Sequence, residues 1–288
     1  MTITAGDVAK LREQTGAGMM DCKKALDEAN GDMEVAAEIL RKKGVIKAAK
    51  RADKVAAEGL TNVKVAGNTA VILEINSETD FVSGGEDFKK LVGEVTDELL
   101  AKKPADLESA LKGGIEEKIN ALVAKIGEKI SLRRFVLVEK TAADAFGAYI
   151  HMGGKISVLT VLTGTTDEDL AREVAMHAAA AYPKYLNRAE VPSEIIEKEK
   201  EIAAEQLKAQ NKPANVMESI LKGKVEKFYG EMCLVEQPFI KDEEKTVEKF
   251  VAARASGAVV SKYFRFELGE GIEKKSSDFA AEVAQQMK

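Results

Sequence analysis

The sequence is poor in the residues that most enzymatic and metal chemistry uses. It contains no tryptophan, two cysteines and two histidines in 288 residues, and aromatics make up only 5%. Two cysteines, Cys22 and Cys233, do not make a disulfide framework in a chain this long. His151 and His177 fall in a strand pattern and a helix pattern, where a lone histidine is more often structural or interfacial than catalytic. No Cys/His cluster has metal-ligand spacing, and no Gly-x-Ser-x-Gly elbow occurs. Neither a metal nor a cofactor is expected. No run approaches the ~18 apolar residues of a membrane span. Met1–Asp7 has neither the basic nor the apolar region of a signal peptide, so a cytoplasmic protein without membrane contact is expected. Excess positive charge is missing too. A net charge of -5 argues against a chain that binds nucleic acid over its whole surface, and leaves only a local basic patch open.

One segment superficially resembles a phosphate loop, Gly153-Gly154-Lys155-Ile156-Ser157. The Walker pattern needs glycine where this chain has Tyr149, and serine or threonine where it has Ile156. The segment reads as a hairpin turn. With carboxylates spread over helix faces, no catalytic chemistry of the chain's own is expected.

What is present is an ordinary globular composition, 45% apolar and 32% charged, in a chain long enough for two domains or one with appendages. Residues 4–44 read as three short helices. Thr4 and Asp7 form a capping box with Asp in place of Glu, Asp32 caps the third helix, and Gly44 stops it. A basic helical linker follows over 42–58, with Lys42, Lys43, Lys47, Lys50, Arg51 and Lys54. It reads as a solvated helix face, with RNA contact as the alternative.

From Gly59 the period changes to that of strands. Leu60–Ala66, Gly67-Asn68 and Thr69–Asn76 read as a hairpin. A helix over 86–101, further helix through Leu107, Leu111, Ile115, Ile119, Leu122 and Ile126, and a strand over 131–139 follow. The scheme then repeats: a hairpin turning at Gly153-Gly154, a polar turn, and a helix opened by Asp167-Glu168-Asp169. The repeat points to two related α+β subdomains. Residues 193–232 carry two apolar stripes interrupted at Asn211–Asn215, which suits an antiparallel coiled-coil hairpin. A helix over 243–256 and a strand over 258–268 come next. In that strand Phe264, Phe266 and Leu268 alternate with outward-facing Tyr263, Arg265 and Glu267. Gly269-Glu270-Gly271 reads as a hinge before a last amphipathic helix with Phe279 and Val283 on its stripe.

The fold class expected is α+β. Its parts are a helical N-domain with its basic linker (1–54), a first core subdomain (55–140), a second one (141–191 and 233–268), an inserted coiled-coil hairpin (192–232) and a C-terminal helical module (269–288). One turn does not fit a purely structural account. Ser77-Glu78-Thr79-Asp80-Phe81-Val82 follows a strand and precedes a helix, yet carries phenylalanine and valine where turns are normally polar. The second repeat has no such segment, so residues 79–82 are not needed to close the fold.

Two long stretches resemble a known family. Leu11-Arg12-Glu13-Gln14-Thr15-Gly16-Ala17-Gly18-Met19-Met20-Asp21-Cys22-Lys23-Lys24-Ala25-Leu26 is similar to the first signature of bacterial elongation factor Ts. Glu74-Ile75-Asn76-Ser77-Glu78-Thr79-Asp80-Phe81-Val82 is similar to the second. His151 with Gly153-Gly154, Gln237-Pro238-Phe239, and Phe264-Arg265-Phe266-Glu267 with Gly269-Glu270-Gly271 agree, while Ser83-Gly84 departs from the usual pattern. The resemblance implies a guanine-nucleotide exchange factor that binds elongation factor Tu, both GDP-bound and nucleotide-free, and lets GTP replace GDP. It implies a ubiquitin-associated-like N-domain. It places Thr79, Asp80, Phe81 and Val82 at the dislocation of Mg2+ from the partner, with Phe81 as a wedge. It places Leu11, Arg12, Met19, Met20, His151, Gly153, Gly154, Phe279 and Val283 against the partner. Of Met19 and Met20, about 100° apart on a helix, one is expected in the core and one outside. The stripe over 216–232 also allows a homodimer through residues 192–232. Three other classes remain for comparison: an RNA-binding module on the basic linker, a ubiquitin-binding-like adaptor on residues 4–44, and a nucleotide hydrolase.

Overall fold

The computed structural model describes residues 3–208 and 214–273. The expected last helix, with Phe279 and Val283, and residues Asn211–Pro213 of the hairpin interruption lie outside the described residues. Three helices come first, α1 (Ala5–Thr15), α2 (Met19–Glu28) and α3 (Met33–Lys50). Thr4 and Asp7 form the capping box. The Asp32 carboxylate accepts the amides of Glu34 and Val35 and so starts α3. Leu11, Cys22, Ala25, Leu26, Ala36 and Leu40 fill a small core between the three.

The third helix does not stop at Gly44. It runs on through the basic segment to Lys50. The reason lies in packing against a later helix: a Cβ at Gly44 would sit 3.1 Å from the Asn120 carbonyl oxygen and 3.2 Å from the Ala124 Cβ. The glycine permits a close helix crossing instead of providing a C-cap.

The first sheet has the order β1-β2-β3, formed by β1 (Glu58–Ala66), β2 (Thr69–Ser77) and β3 (Ile130–Glu139) in antiparallel register. The two-residue Gly67-Asn68 turn joins the first pair. Between β2 and β3 come α4 (Asp80–Gly84), α5 (Glu86–Lys102), α6 (Leu107–Ala110), a π-helical turn and α7 (Glu116–Ile126). The helical run expected over 107–126 is thus broken, at Gly114, whose φ of +121° no helix continues through.

The second sheet repeats the order: β4 (Ala145–His151), β5 (Ile156–Thr163) and, after a long excursion, a third strand beside β5. The excursion contains α8 (Glu168–Ala181), the adjacent pair α9 (Ser193–Lys208) and α10 (Ala214–Met232), a short ladder of β6 (Pro238–Phe239) with β7 (Asp242–Thr246), and α11 (Val247–Arg254). The returning strand is β8 (Val259–Glu267). Residues 243–246, expected in a helix, belong instead to β7, where Thr246 pairs with Pro238 across a bulge and also caps α11.

The two sheets pack face to face. Val63, Ala70, Ile72, Val138, Phe146, Leu159, Val161 and Phe266 interdigitate between them. The outer face of the first sheet buries Val71, Leu73 and Ile75 against α5 and α7. The outer face of the second buries Val158 and Leu162 against α8 and α11. The architecture is α+β with antiparallel sheets, layered helix, sheet, sheet, helix. Both faces of β8 are therefore covered. Tyr263, expected to face solvent, packs on the helical side and donates its hydroxyl to the Pro183 carbonyl. The expected hinge at Gly269-Glu270-Gly271 is pinned, because the Gly269 amide donates to the buried Glu74 carboxylate at 2.9 Å.

Candidate partner-binding surface

β2 is buried along its whole length and ends at Ser77. The chain then leaves the sheet and forms α4, a five-residue helix where sequence reasoning expects a turn. Thr79 is its N-cap. Val82 packs onto the core beneath α5, and Ser83 is buried with its hydroxyl donating to the Asp80 carbonyl. Successive residues on a helix diverge by about 100°. With Val82 turned inward, Phe81 is turned out, and it is 89% exposed. A single exposed apolar residue is ordinary. What sets Phe81 apart is the extent to which its short helix is held.

The hold comes from carboxylates. Glu128, in the connection between α7 and β3, accepts the Thr79 amide on Oε2 at 3.0 Å and the Thr79 hydroxyl on Oε1 at 2.8 Å. Glu78 accepts the Lys129 amide at 2.6 Å and the Arg51 guanidinium at 3.1 Å on both oxygens. The Lys129 ammonium donates to the carbonyls of Ala52 and Lys54. These contacts tie the base of α4 to the end of α3 and to the start of β3. Sequence reasoning missed Glu78, Glu128, Arg51 and Lys129. Their partners lie from 27 to 77 residues away, so no local spacing announces them.

The other expected contact residues divide. Met19 and Met20 are both exposed, at 49% and 63%, so the expectation of one in the core fails. They open α2, where the first turn overhangs the bundle, while Cys22, Ala25 and Leu26 fill its core. Arg12 is exposed and borders a shallow pocket with Met19 and Lys125. Lys125 pairs with Asp87 at the start of α5, 2.7 Å away, which links this region to the neighbourhood of α4. Leu11 is fully buried in the three-helix core and presents no side chain to a partner.

His151 is half-buried at the end of β4, its ring nitrogen 3.2 Å from the Tyr149 hydroxyl. Gly153 is exposed, but Gly154 is buried against Leu60 and its carbonyl accepts the Thr61 amide, at 2.7 Å, and the Thr61 hydroxyl. It is an intersheet packing glycine with a φ of +96°, a place where a side chain would be strained. Ile150 and Met152, exposed by 43% and 68%, extend the apolar character of this turn and were not anticipated. Lys155 in the same turn pairs with Glu58, which lies opposite Ser77 in the β1–β2 ladder. The β4–β5 turn, α4 and the opening of α2 are thus connected through the Ser77 end of the first sheet.

The basic segment is less cationic than its composition suggests. Lys42, Lys43, Lys47 and Arg51 pair with Glu38, Glu28, Asp21 and Glu78. Among the described residues, no group of three or more His, Cys, Asp or Glu is placed to hold a metal ion, and no helix is long and apolar enough to cross a membrane. In a comparison with known families, the family model described as Elongation factor TS matches residues 78–270, about two-thirds of the chain. The match begins one residue before the cap of α4 and ends in the turn pinned on Glu74.

Proposed function

This chain belongs to the elongation factor Ts family, and from that premise we propose that it drives GDP from elongation factor Tu by pressing Phe81 into the partner's nucleotide-binding domain. The family's role is nucleotide exchange in translation on that partner. The finer reading rests on a single observation: an 89% exposed phenylalanine at the tip of a one-turn helix that is clamped at its base.

In this reading Phe81 inserts between two elements of the partner and disturbs its Mg2+ site. Mg2+ demands near-ideal octahedral geometry at short distances, so a small displacement of its ligands weakens it. The ion also neutralises phosphate charge, and its loss loosens GDP. The coupling is reciprocal: a factor that weakens GDP on Tu is weakened by GDP to the same degree.

Burying one phenylalanine yields about 1.5–3 kcal/mol. Moving a two-state partner from almost wholly closed to almost wholly open takes roughly 5.5 kcal/mol. The wedge alone falls short, and Met19, Met20, Arg12, His151 and Met152 supply further contacts. Methionine suits such a role because its unbranched chain adapts to an irregular groove. Residues 1–54 serve as the ubiquitin-associated-like N-domain, 55–140 and 141–191 with 233–268 as the duplicated core, and 192–232 as the inserted coiled coil.

The test is release of fluorescent GDP from elongation factor Tu, chased with unlabelled GDP, with and without this protein. Acceleration by the parent and its loss in Phe81→Ala support the reading. Parental acceleration by Phe81→Ala overturns the wedge.

A further inference from the structure

We propose that Glu128 is the positioning residue of the exchange wedge. It acts through Thr79 and sets the direction in which α4 presents Phe81, an inference that rests on the reading of Phe81 given above.

A helix of five residues has almost no stability of its own, because nucleation fixes several residues for one hydrogen bond. Its direction is therefore set by what holds its ends. The inner face of α4 is held by Val82 on the core. Its start is held by Thr79, and Thr79 is held by Glu128 through both carboxylate oxygens. Charge-assisted hydrogen bonds of this kind are about twice as strong as neutral ones. The Thr79 hydroxyl donates to Glu128 and at the same time accepts the Val82 amide at 3.5 Å, so one oxygen joins the clamp to the first turn of the helix.

The clamp is reciprocal. Glu128 accepts the amide of Thr79, while Glu78, the residue before Thr79, accepts the amide of Lys129, the residue after Glu128. Two adjacent pairs thus lock the β2–α4 junction to the α7–β3 junction. Arg51 extends the lock to the end of α3, so the same clamp relates Phe81 to the helical unit that carries Met19 and Met20. The second half of the molecule holds its corresponding turn more lightly, by one bond from the Gly164 amide to the Asp144 carboxylate at 3.3 Å and by Arg254 lying 3.5 Å from Asp167. There β5 passes to α8 through Gly164–Asp167, and Asp167 caps α8 directly. Closing the sheet on its helix does not require the clamp, which leaves the direction of α4 as its purpose.

Glu128→Ala removes the acceptor. Glu128→Gln keeps one acceptor oxygen and places an amide donor where the second stood. We expect Glu128→Ala to lower the maximal GDP-release rate roughly tenfold, as misplacement of a rigid contact does. The factor concentration giving half-maximal rate should change much less, since Met19, Met20 and the β4–β5 turn are untouched. Glu128→Gln should recover part of the rate. In a Phe81→Ala background Glu128→Ala should add nothing further, because residues acting through one another are not additive. Thermal melting of every variant controls for folding.

Parental exchange by Glu128→Ala, with Phe81→Ala slow, overturns the inference and leaves the wedge standing. An equal loss from Glu128→Ala in both backgrounds also overturns it, because Glu128 then acts independently of Phe81. Parental exchange by Phe81→Ala overturns the wedge, and this inference with it.

Discussion

Among the described residues nothing covers Phe81, so it adds little to the folded state. We expect Phe81→Ala to shift unfolding stability by no more than about 0.5 kcal/mol, the usual range for exposed positions. Val82→Ala, one residue on, loses core contact and should cost about 1 kcal/mol; paired urea melts of the two variants check this contrast. His177 gives a residue-level expectation of another kind. Its Nδ1 accepts the Ile240 amide, so Nε2 carries the proton and donates to Gln237. Burial pushes this imidazole below its ordinary value near 6.5, against the opposing pull of the Gln237 bond. The unfolded chain then takes up a proton that the folded chain resists. Stability is held above about pH 6.5 and lost below it, by at most about 1.4 kcal/mol per pH unit for one group. His177→Gln should flatten the fall in melting temperature between roughly pH 6.5 and 5.5; an unchanged slope would assign it to other groups. Phe81 was legible in the sequence because an apolar residue stood in a polar turn with no periodic partner. Leu11 was misread, because the signature that carries it is shaped by core packing as well as contact. Glu128 was invisible, its meaning resting on a threonine far away in the chain.

At the scale of elements, most strands and helices announced themselves by periodicity and caps, and the misreadings share one cause. Each took a local signal at face value where a distant neighbour decided the outcome. Gly44 has the look of a C-cap, yet α7 makes it the point where two helices approach. The alternation in β8 has the look of one wet face, yet α8 and α11 cover that face. The acidic run before α11 has the look of a helix start, yet it lies in β7, which pairs with Pro238–Phe239 through Asp242 and Thr246. We expect Gly44→Val to push α3 off α7 and to cost about 1–3 kcal/mol, as overpacking does. Urea unfolding measures it, and a variant as stable as the parent would show that the crossing yields without strain. The same helix carries Arg51 at its end, so displacement of α3 also strains the lock on Glu78.

At the scale of the whole molecule, the two halves share a greasy interface that also holds a buried ionic clasp. Glu74 points from β2 into that interface and is fully buried. A register shift after Glu74 turns two consecutive arginines of β3 toward it, Arg133 at 3.0 Å and Arg134 at 2.6 Å. The arginines in turn donate to the carbonyls of Glu270 and Glu267, and the Gly269 amide donates to Glu74 itself. The first sheet thereby grips the turn that ends the second. Removing one partner of a buried ion network leaves uncompensated charge and costs about 3–5 kcal/mol, so Glu74→Ala should unfold at markedly lower denaturant than the parent. The acid limb gives a second reading of the same clasp. Burial alone raises the Glu74 carboxyl, but the Gly269 amide, Asn76, Arg133 and the charge of Arg134 together outweigh it, and the net direction is down. A carboxyl held below its ordinary value stabilises the fold above about pH 4.5 and surrenders that contribution as pH falls further. Glu74→Gln is nearly isosteric and cannot titrate. Its stability should trail the parent's at neutral pH, with the gap closing as pH drops below about 4.5. A gap that stays constant across the acid limb would mean that the clasp works by shape and hydrogen bonding rather than by charge.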